Sequence, residues 1–304
     1  MKNEIVFCTV ASNDYLPSLE RLLASAQLFI PNQIIHIVLV NVDSLKAKYL
    51  ESLYNNVCIE FDYYEFENND ELRGWCTNRR ALLFPKIMEK YSFPVVWIDA
   101  DTLFINEAGS LIQYAKKYDL SVDYSNTHPT LGATEKQLKN YSTGPLGTPY
   151  FGVFNNSVIV TNNSNIAKKL FNYFSELIQH HRLIWFADQE GLYLTYKKFK
   201  NRIKFMPLEK KFCSRSYHSS KIIWTGKANI KDKKEYIKLG DRYILNVRKW
   251  PIKKLDINKS IDCINPSNPI NIRKKSFSKR LAKRIYKSFK FLITGKINEK
   301  QLEA

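Results

Sequence analysis

Two kinds of segment alternate through the first hundred residues, and this alternation restricts the possible folds more than any other feature. Ile34–Val40 is a near-continuous apolar run, and Pro94–Ile98 is another. A strand that is apolar at almost every position is buried on both faces, as in a parallel sheet covered by helices. Pro17–Phe29 has a different period, with Leu19, Leu22, Leu23, Ala26 and Phe29 or Ile30 at helical spacing, and Pro31-Asn32 ends it. Glu4–Ala11 reads as a first strand, and Ser12-Asn13-Asp14 as a turn that caps the helix. Leu45–Leu53 reads as a helix, Val57–Phe66 as a strand and Arg79–Tyr91 as a basic helix. The order β-α-β-α-β-α-β predicts a doubly wound α/β sheet with helices on both faces. Ligands of such sheets bind beyond the carboxyl ends of the strands. Thr9–Asp14 and Asp99–Asp101 both fall there.

Beyond Asn106 the pattern loosens. Leu111–Tyr118 is a short helix, and Asp123–Thr148 is rich in turn formers. Tyr150–Val160 resumes strand character, Ile166–Ile178 is an amphipathic helix, Ala187–Tyr196 is helical, and Lys204–Pro207 is a short strand. The expected organisation is a catalytic domain over 1–250, with a nucleotide-binding half at 1–106 and an acceptor and sugar half at 107–250. A basic extension at 251–304 follows.

The chain carries 47 Lys and Arg against 29 Asp and Glu, a net +18, which calls for an anionic partner or surface. Half of that excess lies in residues 271–304, with 11 basic residues against two Glu. Phe277, Leu281, Ile285, Phe289 and Leu292 recur there every three to four residues, with Lys279, Arg280, Lys283, Arg284, Lys287 and Lys290 between them. That is a basic amphipathic helical tail, suited to an anionic membrane surface at about 1 kcal/mol per Lys or Arg. No nucleic-acid motif accompanies the charge, so no nucleic-acid partner is expected. The five cysteines are scattered and form no C-x-x-C pair, against a zinc site or disulfide framework and in favour of a reducing compartment. No stretch approaches the ~20 apolar residues of a membrane span, and the first residues do not form a signal peptide. The expected location is cytoplasmic, free or peripheral on the inner face of the cell membrane.

Val95-Val96-Trp97-Ile98 runs directly into Asp99-Ala100-Asp101. Carboxylates at i and i+2 on a strand point the same way. At the strand's carboxyl end they can converge on one hard cation, which bridges to diphosphate oxygens and neutralises the charge that grows on a diphosphate leaving group. A buried strand ending in two acids is costly unless the acids are bound or solvated.

Val95–Phe104 closely resembles the donor-site segment of GT-A-fold glycosyltransferases, above all the glycosyltransferase family 8 type and related nucleotide-diphospho-sugar transferases. Other stretches fit in the expected order over roughly residues 4–230: Phe7–Tyr15, Phe151–Val160 with Asn155-Asn156-Ser157, Ala187-Asp188-Gln189 and Ile222–Lys227. The resemblance implies a GT-A, Rossmann-like mixed sheet. It also implies transfer of a sugar from a nucleoside-diphosphate donor, with UDP the expected nucleotide, using Mn2+ or Mg2+. The acceptor would be a glycan or a lipid-linked glycan, with bacterial capsule or lipopolysaccharide assembly as the setting.

By the same resemblance, Asp101 is the main metal ligand, and Asp99 shares the metal or holds the ribose. Thr9, Ala11 and Tyr15 lie near base and ribose, and Lys86 or Arg80 reaches the donor phosphates. Asn156 lies on a strand facing the sugar, Asp188 contacts the sugar or the acceptor hydroxyl, Gln189 supports the donor sugar, and Lys227 meets the diphosphate. Family 8 places a further metal-binding His in the late segment. Here Trp224 stands nearby and the closest histidine is His218, so either His218 completes the metal shell or water does. His180 and His181 are adjacent on a helix, diverge, and are surface residues. Two other readings fit less of the chain. One is a haloacid-dehalogenase-type phosphatase, where Leu103 stands in place of the expected Thr or Val. The other is a non-enzymatic basic protein binding nucleic acid or membrane.

Overall fold

Alternation sorts the side chains of β1 (Val6–Ser12) onto two faces. Phe7 and Ala11 pack among α1 (Leu16–Phe29), α2 (Ser44–Glu51) and α4 (Gly109–Ala115). Val6, Cys8 and Val10 pack on the other side against α3 (Asn69–Lys90), α5 (Asn165–Gln179) and α6 (Ala187–Phe199). The result is a three-layer α/β/α arrangement, seen in a computed structural model that describes residues 4–126, 128, 143–214, 216–225 and 230–249. All of these residues fall within one compact unit, Met1–Trp250.

The central sheet adds β2 (Ile34–Val40), β3 (Val57–Asp62), β4 (Val95–Ile98), β6 (Ser121–Tyr124) and β7 (Phe154–Thr161) to β1, in the order β3-β2-β1-β4-β7-β6. β1 pairs in parallel with β2 (Cys8 opposite His36) and with β4 (Cys8 opposite Trp97). β7 runs antiparallel to β4, with Ile98 opposite Val158, so the sheet is mixed. The chain winds outward from β1 to β3, then α3 carries it back across β1 to β4. β1 and β4 therefore flank the point where the winding reverses, the expected place for a ligand crevice. A smaller sheet joins β5 (Leu103–Phe104), β9 (Ile223–Trp224) and β8 (Cys213–Ser214).

Most expected elements recur with shifted ends, while the strands β5, β6, β8 and β9 were not anticipated. Helix α3 begins at Asn69, ten residues before the predicted start. The Asn68 side chain accepts from the backbone N–H groups of Asp70 and Glu71, and those two acids sit in the first turn, where the helix dipole favours them. Lys204–Pro207 does not form a full strand, but it pairs in parallel beside β6: Phe205 bridges Leu120, the Asp119 N–H donates to the Lys204 carbonyl at 2.9 Å, and the Met206 N–H donates to the Leu120 carbonyl at 3.2 Å. A helix not anticipated from the sequence, α7 (Ile230–Lys249), packs on α1. The Arg21 Nε lies 2.8 Å from the Asp241 carboxylate, and the rings of Phe29 and Tyr243 meet edge to face at 5.6 Å. The basic tail at 271–304 lies outside the described residues.

Candidate active site

The acidic pair sits where β4 runs out. The four residues Val95–Ile98 are buried, and the Asp99 N–H still donates to the Ser157 carbonyl at 3.1 Å, continuing the ladder with β7 for one more residue. Ala100 and Asp101 then turn away from the sheet. Asp99 is nearly buried, Asp101 is half-buried, and both line one cavity of about 320 Å³. The Trp97 indole N–H donates to Asp99 Oδ1 at 3.2 Å, so the strand's own tryptophan helps to orient the carboxylate.

Helix α3 supplies the opposing charge. Arg80 is only 5% exposed, yet it carries a full positive charge. Its Nη2 lies 3.2 Å from Asp99 Oδ1, and its Nε lies 3.3 Å from Asp188 Oδ2 and donates to the Thr77 carbonyl at 2.8 Å. Its Nη1 donates to the Asn156 carbonyl. The guanidinium also rests 5.2 Å from the centroid of the Trp97 ring. A buried cation is tolerable only when paired and hydrogen-bonded. Arg80 meets that condition by tying α3 to the ends of β4 and β7 and to the start of α6.

Asp188 lies one residue into α6, where an acid often only caps the helix. Instead its carboxylate accepts from Asn156 Nδ2 at 2.8 Å and faces Arg80. Its backbone N–H donates to Asn78 Oδ1 at 2.8 Å. The Asn78 amide also faces the carbonyls of His181, Arg182 and Ile184 at 3.2, 3.1 and 2.7 Å. Asn78 therefore fixes the segment that precedes α6. Phe186, the last residue before that helix, is held in the left-handed region with φ 65 and ψ 6, at a cost of roughly 1–3 kcal/mol for a non-glycine residue. Glu190 is also fully buried, and its carboxylate accepts from the Leu146 and Thr148 N–H groups, both at 2.7 Å.

Of the expected site residues, Tyr15, Arg80, Asp99 and Asp101 line the cavity. Asn156 and Asp188 are buried behind it and joined to it through Arg80. Four of the expected residues, Thr9, Ala11, Lys86 and His218, lie outside this lining. On β1 the cavity takes Val10 and Ser12 rather than Thr9 and Ala11, because side chains alternate along a strand and the latter two are buried away from it. Lys86 is exposed on α3 and outside the lining, since six residues of helix turn it well away from Arg80. His218 is exposed and engages Ser220 at 2.9 Å. Among the described residues, no three His, Cys, Asp or Glu side chains converge on a possible metal position, so His218 is not brought to the acidic pair. Trp224 pairs with Leu103 and is buried against Tyr236, a core residue in the place where a ligand was anticipated. Gln189 is half-buried, and Lys227 lies outside the described residues.

The cavity also holds Arg73, Cys76, Thr77, Trp97 and Trp185, which the sequence reading passed over as site residues. Arg73, Cys76 and Thr77 were hidden by the late start assigned to α3. Trp185 lies two residues before the Ala187-Asp188-Gln189 segment, but nothing in the sequence distinguishes an exposed tryptophan from a core one.

No family model matches the chain, and no curated protein matches it. Solved structures do. The galactosyltransferase LgtC, solved with donor and acceptor sugar analogs, superposes over 79% of this chain and 95% of its own, with a TM-score of 0.50 and 15% identity. The fold is GT-A. The glycosyltransferase GlyE of Streptococcus pneumoniae TIGR4 aligns over 69% of this chain at a TM-score of 0.45 and 14% identity, and the chain spans 46% of GlyE. The bifunctional glycosyltransferase WbbM aligns over 82% of this chain and 44% of its own, at a TM-score of 0.45 and 17% identity.

Proposed function

We propose that the chain is a glycosyltransferase that moves a sugar from a nucleoside diphosphate, with UDP favoured, to a glycan or lipid-linked glycan. One observation carries the reading: Asp99, Asp101 and Arg80 line a single cavity at the carboxyl ends of β1 and β4. The carboxylates of Asp99 and Asp101 offer hard oxygen donors that would suit Mg2+ or Mn2+. This donor set fits such a cation without a protein histidine. When bound, the cation would supply charge neutralisation on the departing diphosphate.

The chain's own residues do the rest. Ser12 and Tyr15, at the end of β1, would receive the nucleoside. Arg80 lends fixed positive charge beside Asp99, and its prior engagement means that little reorganisation is needed when substrate arrives. Asp188, held by Asn156, Asn78 and Arg80, would orient the transferred sugar, supported by Gln189, and Lys227 would meet the diphosphate. In the reaction the bond from the anomeric carbon to the diphosphate oxygen breaks, an acceptor hydroxyl oxygen bonds to that carbon, and the nucleoside diphosphate departs while the hydroxyl proton passes to solvent.

Thermal-shift titration of the full chain with UDP- and GDP-sugars and Mn2+ tests this reading, together with release of free sugar from the donor that stabilises it. Asp101→Ala should abolish both responses. A wild-type chain stabilised by none of these donors would overturn the assignment.

The setting we propose is the inner face of a cell membrane, with 1–250 as the catalytic part and 251–304 as a basic extension that attracts anionic lipid. The charge in 271–304 supports this, and among the described residues no helix is long and apolar enough to cross a membrane. Co-sedimentation of the full chain with phosphatidylserine vesicles should be lost when Lys283, Arg284 and Lys287 are replaced by Glu.

A further inference from the structure

The segment before α6 is built more rigidly than a surface connection requires. Gly74 of α3 lies directly beneath it: a Cβ at that position would come within 1.9 Å of the Leu183 carbonyl oxygen. The Asn78 amide faces three carbonyls of the same segment. Phe186 accepts a left-handed backbone to complete the path into α6. Separately, buried Glu190 anchors Leu146 and Thr148, ahead of Phe151.

These anchors support a row of aromatic rings in partial contact with solvent. Trp185 stacks on Phe186 at 4.2 Å and 19°, and Phe186 meets Phe151 at 5.6 Å. Trp185 is 43% exposed and Phe151 38% exposed. Trp185 lines the cavity that holds Asp99 and Asp101, whereas Phe186 and Phe151 do not. The row therefore starts at the cavity and leads out of it. Arg73, itself a lining residue with 58% of its side chain exposed, places its guanidinium 5.6 Å from the Trp185 ring centroid. Strain and buried polar anchors spent on keeping large apolar rings exposed indicate a surface kept for a ligand.

We propose that this aromatic lip binds the acceptor, with pyranose rings of a glycan lying against Trp185 and the Phe186–Phe151 pair. Sugars present apolar C–H faces to aromatic rings and hydroxyls to donors such as Arg73. The nucleoside is the other planar candidate, but Tyr15 and Ser12 at the end of β1 already provide for it, and a row leading out of the cavity suits a molecule arriving from solvent. The inference rests on the transferase reading.

The test uses the full chain with Mn2+. Binding to an array of immobilised neutral and acidic oligosaccharides is measured with UDP present, and UDP affinity is measured separately by calorimetry. Trp185→Ala should weaken oligosaccharide binding by about tenfold or more and leave UDP affinity within about twofold, while Trp185→Phe should keep most of the binding. Unchanged oligosaccharide binding in Trp185→Ala would overturn the proposal, as would an equal loss of UDP affinity, which would reassign the ring to the nucleoside. Wild-type chain that binds UDP but retains no oligosaccharide would also overturn it. Failure of the wild-type chain to bind UDP would instead count against the transferase reading itself.

Discussion

Arg80 approaches Asp99 to 3.2 Å through one terminal nitrogen, and both side chains are nearly out of reach of water. The same guanidinium reaches Asp188, so one cation from α3 serves an acid at the end of β4 and an acid at the start of α6. Removing it should be expensive in two ways. Arg80→Ala leaves two buried carboxylates and the Asn156 carbonyl without their partner, a loss of about 3–5 kcal/mol. Arg80→Lys keeps the charge but not the fork, and a single ammonium cannot span the same acceptors. Urea unfolding should show both variants destabilised, with Ala worse. Sugar release from the donor should fall at least about 100-fold in both, as expected for loss of preorganised charge. Wild-type activity in Arg80→Lys would show that only the charge matters.

Gly74 has no room for a side chain, because the backbone of Leu183 occupies the space. Gly74→Ala should push the 181–186 segment off α3 and cost about 1–3 kcal/mol. The displacement would also weaken the Asn78 contacts to His181, Arg182 and Ile184. Trypsin cleavage after Arg182 offers a direct measure, and the variant should be cut there faster than wild type. Equal cleavage rates would mean that the segment is held without the close approach at Gly74.

The outline of the fold was legible because buried parallel strands leave long apolar runs, and Ile34–Val40 appears in the structure with the predicted ends. The phase of β1 was not legible. Every residue from Val6 to Ser12 is buried, so no polar alternation marks which side chains point to the cavity. Choosing between Lys86 and Arg80 was equally beyond the sequence: both are basic residues on one helix, and only the packing of α3 turns Arg80 inward and Lys86 outward. Helix α7 was overlooked although Tyr236, Leu239, Tyr243 and Ile244 carry a helical period, because the surrounding lysines dominate the segment. A third metal ligand was sought by sequence proximity, and the nearest histidine belongs to an exposed turn.

Cys76 lines the cavity and would be the obvious target for a thiol reagent. Burial, helped by the nearby Asp62 carboxylate and opposed by Arg79, pushes its thiol up to about 12. The thiolate is the reactive species. Against an ordinary thiol of pKa near 8.5, its thiolate fraction at pH 8 is smaller by about 10³-fold. Alkylation by iodoacetamide at pH 8, followed by mass spectrometry, should therefore leave Cys76 largely unmodified when glutathione is fully alkylated. Labelling of Cys76 at a rate near that of glutathione would show that the site opens far more than the structure does.

His36 sits at the other end of the sheet, buried between Glu60 and Tyr91. Its Nε2 lies 3.2 Å from Glu60 Oε1, and its Nδ1 lies 3.2 Å from the Tyr91 hydroxyl. Burial holds its pKa below 6.5, with Lys90 acting in the same direction and Glu60 opposing both. The sign of the pH effect follows. In the unfolded chain the imidazole takes a proton near pH 6.5, whereas in the folded chain it does so only at lower pH. Between those two values the unfolded state binds more protons, so stability falls as pH drops from about 6.5 through the folded pKa. Glu60 acts in a separate and more acidic window. Burial alone would raise its pKa, but Lys90 and His36 outweigh that effect and lower it, so its contribution is lost only as pH falls through a value below 4.5. His36→Gln retains a polar side chain that cannot titrate. Its melting temperature should lie below that of wild type at pH 8, and the decline between pH 6.5 and 5 should be shallower than in wild type. Differential scanning calorimetry across that range decides the matter: parallel wild-type and variant curves would place the titrating group elsewhere.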